Sequence, residues 1–135
     1  MALAADLNVE CVPGTTETRE GIGGAADTLY KGAILMFGTD GYLAVATSAA
    51  GTVAVGINKK NVVCAGANAE KIEYEVGQFW LSHSGAAQAD VGELFFATAD
   101  DTLVHNGAQN TTDICLGRCV GFKTGYVLID TREKA

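Results

Sequence analysis

Lys31-Gly32-Ala33-Ile34-Leu35-Met36-Phe37, followed by Asp40-Gly41-Tyr42-Leu43 and then Val55-Gly56-Ile57, has a counterpart later in the same chain. That counterpart is Val91-Gly92-Glu93-Leu94-Phe95-Phe96-Ala97, then Asp100-Asp101-Thr102-Leu103, then Leu116-Gly117-Arg118. The first and last glycines are 24 residues apart in one copy and 25 in the other. Each copy reads as a strand, an acidic turn, a second strand, a variable loop and a strand ending at glycine. Val76-Gly77-Gln78-Phe79-Trp80-Leu81 reads as a third, partial copy. Two such units packed together predict a small pseudo-symmetric barrel or sandwich.

Working outward, the period of two persists from Thr28 to the end in runs of branched and aromatic residues punctuated by glycine. Strands are expected near 29–37, 42–47, 52–57, 61–65, 71–74, 77–82, 92–98, 102–105, 114–120 and 125–130, with a short helical turn between Gly66 and Lys71. No sustained helical stripe interrupts them, so the class is all-β or nearly so. Gly41 to Asn58 is 18 residues without a charge, close to a bilayer span, but its polar and glycine residues and its alternation read as a hairpin. No membrane partner is expected.

Residues 1–27 differ from the rest. Asp6, Glu10, Glu17, Glu20 and Asp27 stand against Arg19 alone, a net of -4 out of the -7 carried by all 135 residues. The segment also holds the one proline, Pro13, and the run Gly21-Ile22-Gly23-Gly24. It is expected to be an extended arm outside the core, with 28–135 forming a single β-rich domain. Its start, Met1-Ala2-Leu3-Ala4-Ala5-Asp6, lacks the basic and apolar regions of a secretion signal, so synthesis in a cytoplasm is expected.

The acidic balance argues against nucleic-acid binding, which needs a basic face to neutralise phosphates. Lys59-Lys60 is the one basic doublet. Side chains that do chemistry are scarce, with 2 His and 1 Trp against 17 Gly and 21 Ala. His83 and His105 lie near Asp90 and Asp100 in sequence, but none of these sits in a nucleophile motif. The glycine run lacks the strand-to-helix setting of a phosphate loop and reads as a linker. The acidic turns at Asp40-Gly41 and Asp100-Asp101 lack the dense oxygen pattern of a calcium loop. Cys115 and Cys119, four apart in a strand, would be roughly 13 Å from each other, too far to share a zinc ion. With Cys11 and Cys64 they read as buried thiols. No catalytic, cofactor-binding or metal-ligating set is therefore expected, and the chain does not read as an enzyme.

In Ile34-Leu35-Met36-Phe37, Phe79-Trp80-Leu81 and Leu94-Phe95-Phe96, successive side chains point to opposite faces, and both faces are apolar. Covering the second face takes another sheet layer or another subunit. Homo-oligomerisation is the expectation, with Phe79, Trp80 and Phe95 as subunit-interface residues.

The stretch Leu29 to Ile57, together with Val91 to Thr98, Leu116 to Phe122 and the final Gly125-Tyr126-Val127-Leu128-Ile129-Asp130, resembles the capsid decoration or cement proteins of tailed bacteriophages, over about residues 28 to 131. The resemblance implies a non-enzymatic virion protein, commonly a homotrimer, that sits on the outer capsid surface, binds the major capsid protein and stiffens the expanded shell. It also implies that the N-terminal arm makes the capsid contact, with Leu7, Val9 and Val12 as candidates for strand addition. On that reading, deletion of residues 1–27 leaves a folded oligomer that no longer binds capsids. The rival expectation is a small oligomeric β module that binds glycans or another ligand, with Trp80, Tyr42 and Tyr126 as stacking platforms.

Overall fold

The computed structural model describes residues 3–24, 26–48, 52–66 and 69–134. Their regular structure is nearly all strand, in two antiparallel sheets and a small third layer. β2 (Glu17–Ile22), β4 (Ile34–Phe37), β5 (Leu43–Val45), β6 (Val53–Asn58) and β8 (Lys71–Val76) form a five-stranded sheet in the order β2-β8-β6-β4-β5. β9 (Gln78–Ser82), β10 (Leu94–Ala99), β11 (Thr102–His105), β12 (Ile114–Lys123) and β13 (Tyr126–Asp130), with β1 (Glu10–Cys11) at one edge, form a six-stranded sheet in the order β1-β9-β13-β12-β10-β11. β3 (Asp27–Leu29) and β7 (Val62–Cys64) pair as the third layer. A single 3-10 turn at Gln88–Asp90 is the one helical element among the described residues.

The two large sheets repeat one another strand for strand. In each, the first strand pairs with the last, the last with the fourth, the fourth with the second and the second with the third, once the third-layer strands are set aside. The registers agree as well: Leu35 faces Gly56 where Phe95 faces Gly117, and both ladders slip by one residue at the next position. Arg19 faces Tyr74 where Phe79 faces Ile129. The Gly32 amide donates to the Asn58 carbonyl where the Gly92 amide donates to that of Cys119. The sequence repeat is thus part of a wider one, 17–76 and 78–130. Val76 to Leu81 is not a third copy: Val76 closes the first unit and Gln78 opens the second.

The expected single strand over 29–37 is broken. Leu29 belongs to the third layer and Ile34 to the five-stranded sheet, and between them the chain turns at Gly32, whose φ of +85° suits a residue without Cβ. The buried Asn58 amide holds this turn by donating to the carbonyls of Leu29 and Tyr30 at 2.8 and 2.9 Å. The expected hairpin over 41–58 is also corrected, because β5 and β6 flank β4 on its two sides rather than pairing with each other. The expected helical turn between Gly66 and Lys71 includes residues 67 and 68, outside the described set, and Lys71 itself opens β8.

Residues 3–24 are part of the body. β2 pairs along all six residues with β8, and β1 pairs with β9. Val9 and Cys11 pack against the core between the large sheets, and Leu3 packs against the core under the third layer. The charges that set this segment apart lie on the exposed side of an edge strand, where they discourage pairing with other chains. Its glycines serve packing rather than linkage: a Cβ at Gly23 would stand 2.6 Å from the Cys64 sulfur, and one at Gly21 would strike Leu43.

Two cores result. Ile34, Met36, Ala54 and Ile57 meet Phe79, Phe95, Leu116, Val127 and Ile129 between the large sheets. Leu35, Leu43, Val55, Ile72 and Tyr74 meet Leu29 and Cys64 of the third layer. Both faces of Ile34–Phe37 are therefore covered, within the chain, by different layers.

Candidate functional site

Alternation along β9, β10, β12 and β13 sends Phe79, Leu81, Phe95, Ala97, Leu116, Val127 and Ile129 inward. The residues between them form the outer face of the six-stranded sheet. Register places them in rows: Glu10, Trp80, Leu128 and Gly121 in one; Gln78, Asp130, Arg118 and Leu94 in the next; Cys115, Phe96 and Val104 in a third. Trp80, Leu94, Phe96, Val104 and Leu128 are each half-buried, and Tyr126 is 43% exposed. This is an apolar strip across the sheet with polar ends.

The polar groups are arranged around it. The Lys123 ammonium lies 4.6 Å from the Trp80 ring centroid and 5.3 Å from that of Tyr126, and pairs with Glu10 at 2.9 Å. A one-residue bulge in β12 sets Gly121 against Leu128, and the Trp80 and Leu128 side chains lie over this glycine. Arg118 reaches the Gly92 carbonyl. Asp130 takes two hydrogen bonds from the Arg132 guanidinium, both 2.9 Å, which hold its carboxyl below the usual carboxylate range. Burial pushes the Cys115 thiol up.

The repeat explains why this face is apolar. By register, Leu94, Phe96, Val104, Cys115 and Arg118 occupy the positions of Ile34, Met36, Ala44, Ala54 and Ile57 in the first unit. Those five positions are where the six-stranded sheet packs on the five-stranded one. The units are stacked in one sense: the front of the second, with Phe95, covers the back of the first, and the front of the first, with Leu35, lies under the third layer. The back of the second unit has no layer over it.

Of the expected interface residues, Phe79 and Phe95 are 2% and 0% exposed inside the subunit, so only Trp80 is on the surface. The assignment failed because apolar residues on both faces of a short strand do not reveal which face is inside. Of the expected arm contacts, Leu7 is 41% exposed, with its amide on the Lys31 carbonyl, while Val9 is packed against the core and Val12 is half-buried in the turn after β1. Trp80 and Tyr126 share Lys123, whereas Tyr42 belongs to the turn before β5 in the other sheet. Leu94, Phe96, Val104 and Leu128 were missed as site residues. The signal for them was the repeat itself, read by parity rather than by similarity.

The residues considered for catalysis are engaged separately. His83 stacks edge-on against Phe95 at 5.1 Å, and His105 meets the Asn106 carbonyl. Asp90 accepts from the Ala87 amide and Asp100 from that of Leu3. Cys115 and Cys119 lie on opposite faces of β12, the latter in the core, because a ladder slip falls between them. All four thiols are free. No group of three or more His, Cys, Asp or Glu side chains gathers among the described residues, nor does any helix there have the length and apolarity to cross a membrane. The stacked repeat and its uncovered back must speak for this chain by themselves, since no family model, no curated protein and no solved structure matches it.

Proposed function

We propose that this is a non-enzymatic structural protein of a virion, a tailed-bacteriophage capsid decoration protein that works as a homotrimer and stabilises the expanded shell. It attaches to the major capsid protein through the outer face of the six-stranded sheet, around Trp80, Phe96 and Leu128. The observation that supports the reading is the equivalence of that face to the buried back of the first unit. A surface built to receive a layer, and left without one in the single chain, suits a protein whose work is to be covered by another. The resemblance over residues 28 to 131 supplies the identity of the partner. Repetition through a trimer would let modest contacts add.

This moves the expected capsid contact from the arm to the sheet. Co-sedimentation with purified expanded capsids tests it: the parent chain is expected to pellet with the shell, and Trp80→Ala combined with Phe96→Ser to weaken attachment by about 100-fold, as loss of two central anchors does. Undiminished capsid binding by that variant would falsify the assignment of the face. A glycan-binding reading draws on the adjacent rings of Trp80 and Tyr126, but a sugar would have to displace Lys123, which Glu10 holds over them. A glycan-array signal lost on Trp80→Ala would favour it.

A further inference from the structure

The front of the first unit is only partly covered. The third layer reaches Leu35, Leu43 and Ile72 but stops short of Phe37, Val53, Val55, Tyr74 and Val76, which floor an open cleft of about 300 Å³. Val53, at its floor, is 56% exposed. The C-terminal segment forms one wall with Thr131, Arg132 and Lys134, and β2 adds Arg19. In the second unit the positions of Tyr74 and Val76 are taken by Ile129 and Thr131, both buried. The cleft is thus an apolar sheet surface whose equivalent elsewhere in the molecule is filled by a neighbouring chain segment.

The charge around it is unusual for this protein. Three cations line the cleft and no carboxylate does, in a chain of net charge -7. Two of them are already committed: Arg19 pairs with Glu17 at 3.0 Å and Arg132 with Asp130 at 2.9 Å. Lys134 has no ion-pair partner among the described residues. It is half-buried, and burial lowers the pKa of its ammonium, with a smaller push from Arg19. A carboxylate entering beside it would relieve both effects.

We propose that this cleft binds a peptide segment, presented by a partner protein, that sets a carboxylate on Lys134 and an aliphatic side chain on the Val53, Val55 and Tyr74 floor. An extended segment fits better than a small molecule, because the floor is an open sheet face that only a chain would cover along its length. The site lies on the far side of the molecule from Trp80 and Phe96 and does not depend on the capsid reading.

The test is an NMR titration of the full chain, following the methyl groups of Val53 and Val55. The probes are the peptide acetyl-Val-Leu-Glu-Val-amide and its Gln counterpart. The Glu peptide is expected to bind at these methyls about tenfold more tightly than the Gln peptide, the difference made by one charge-assisted hydrogen bond. Lys134→Met is expected to remove that preference while leaving the remaining spectrum in place. Equal binding of the two peptides, absence of shifts at Val53 and Val55, or a preference that survives Lys134→Met would overturn the proposal. Octanoate binding as tightly as the Glu peptide would also overturn it, assigning the cleft to small carboxylates instead. A Trp80→Ala, Phe96→Ser protein should bind the Glu peptide unchanged, so the outcome here and the capsid result can fail separately.

Discussion

A methyl group added at Gly117 would meet the backbone carbonyl of Asp130, which cannot step aside, and Gly56 meets Glu75 in the same way one unit earlier. Gly121 differs: there the added carbon would touch Leu128 at 3.5 Å and Trp80 at 3.8 Å, ordinary contact. Gly117→Ala is therefore expected to cost about 1–3 kcal/mol in urea unfolding, as overpacking does, and Gly121→Ala to stay within about 0.5 kcal/mol. The two buried carboxylates pull in opposite directions with pH. Asp130 is held down by hydrogen bonds from Arg132, so its contribution to stability is present above the ordinary carboxylate pKa of about 4 and is lost as pH falls through the lower folded value. Asp100 is raised, chiefly by burial, so it takes up its proton more readily in the folded chain and works against acid unfolding. Asp130→Asn should accordingly be less stable at neutral pH and lose less stability on acidification than the parent, measured by urea midpoints across a pH series. Parallel curves would sink this assignment.

At the level of strands, β2 carries the clearest lesson. Its residues, Glu-Thr-Arg-Glu-Gly-Ile, are charged and mostly exposed, so their sequence looks like an arm, yet all six pair with β8. Backbone hydrogen bonding leaves no trace in side-chain composition, and that is why this edge was not legible. Removing residues 1–27 would strip β1, β2 and the packed Leu3, Val9 and Cys11 together, at a cost of about 3 kcal/mol or more. The truncated chain is expected to unfold well below the parent in calorimetry, rather than remain a folded body. The repeat was legible because it is written in core residues and tight glycines at fixed spacing. Its extent was not, because β2 and β9 share a register but no residue types: Arg19 stands where Phe79 does. Which face of Leu94-Phe95-Phe96 points inward was also hidden. Two similar units can stack front to front or front to back, and only the second choice makes Phe96 a surface residue.

For the whole molecule, the uncovered strip predicts association. Static light scattering of the purified chain is expected to give three times its 13.9 kDa, while a monomeric mass at micromolar concentration would count against the trimer. Phe95→Ala and Trp80→Ala should separate fold from assembly. The first empties a fully buried site and is expected to cost about 3–5 kcal/mol, whereas the second should leave unfolding nearly unchanged and lower the associated mass or the capsid affinity. The front-to-back stacking of the units has one more effect. An arrangement in which each unit offers its back to the front of the next has no natural last member, and copies added by the same rule would grow into a filament. The β3-β7 pair closes one end of that series. Thinning it with Leu29→Ala and Val62→Ala should let chains add to one another without limit, visible as concentration-dependent fibres, and the small third layer is then what keeps the protein a particle of finite size.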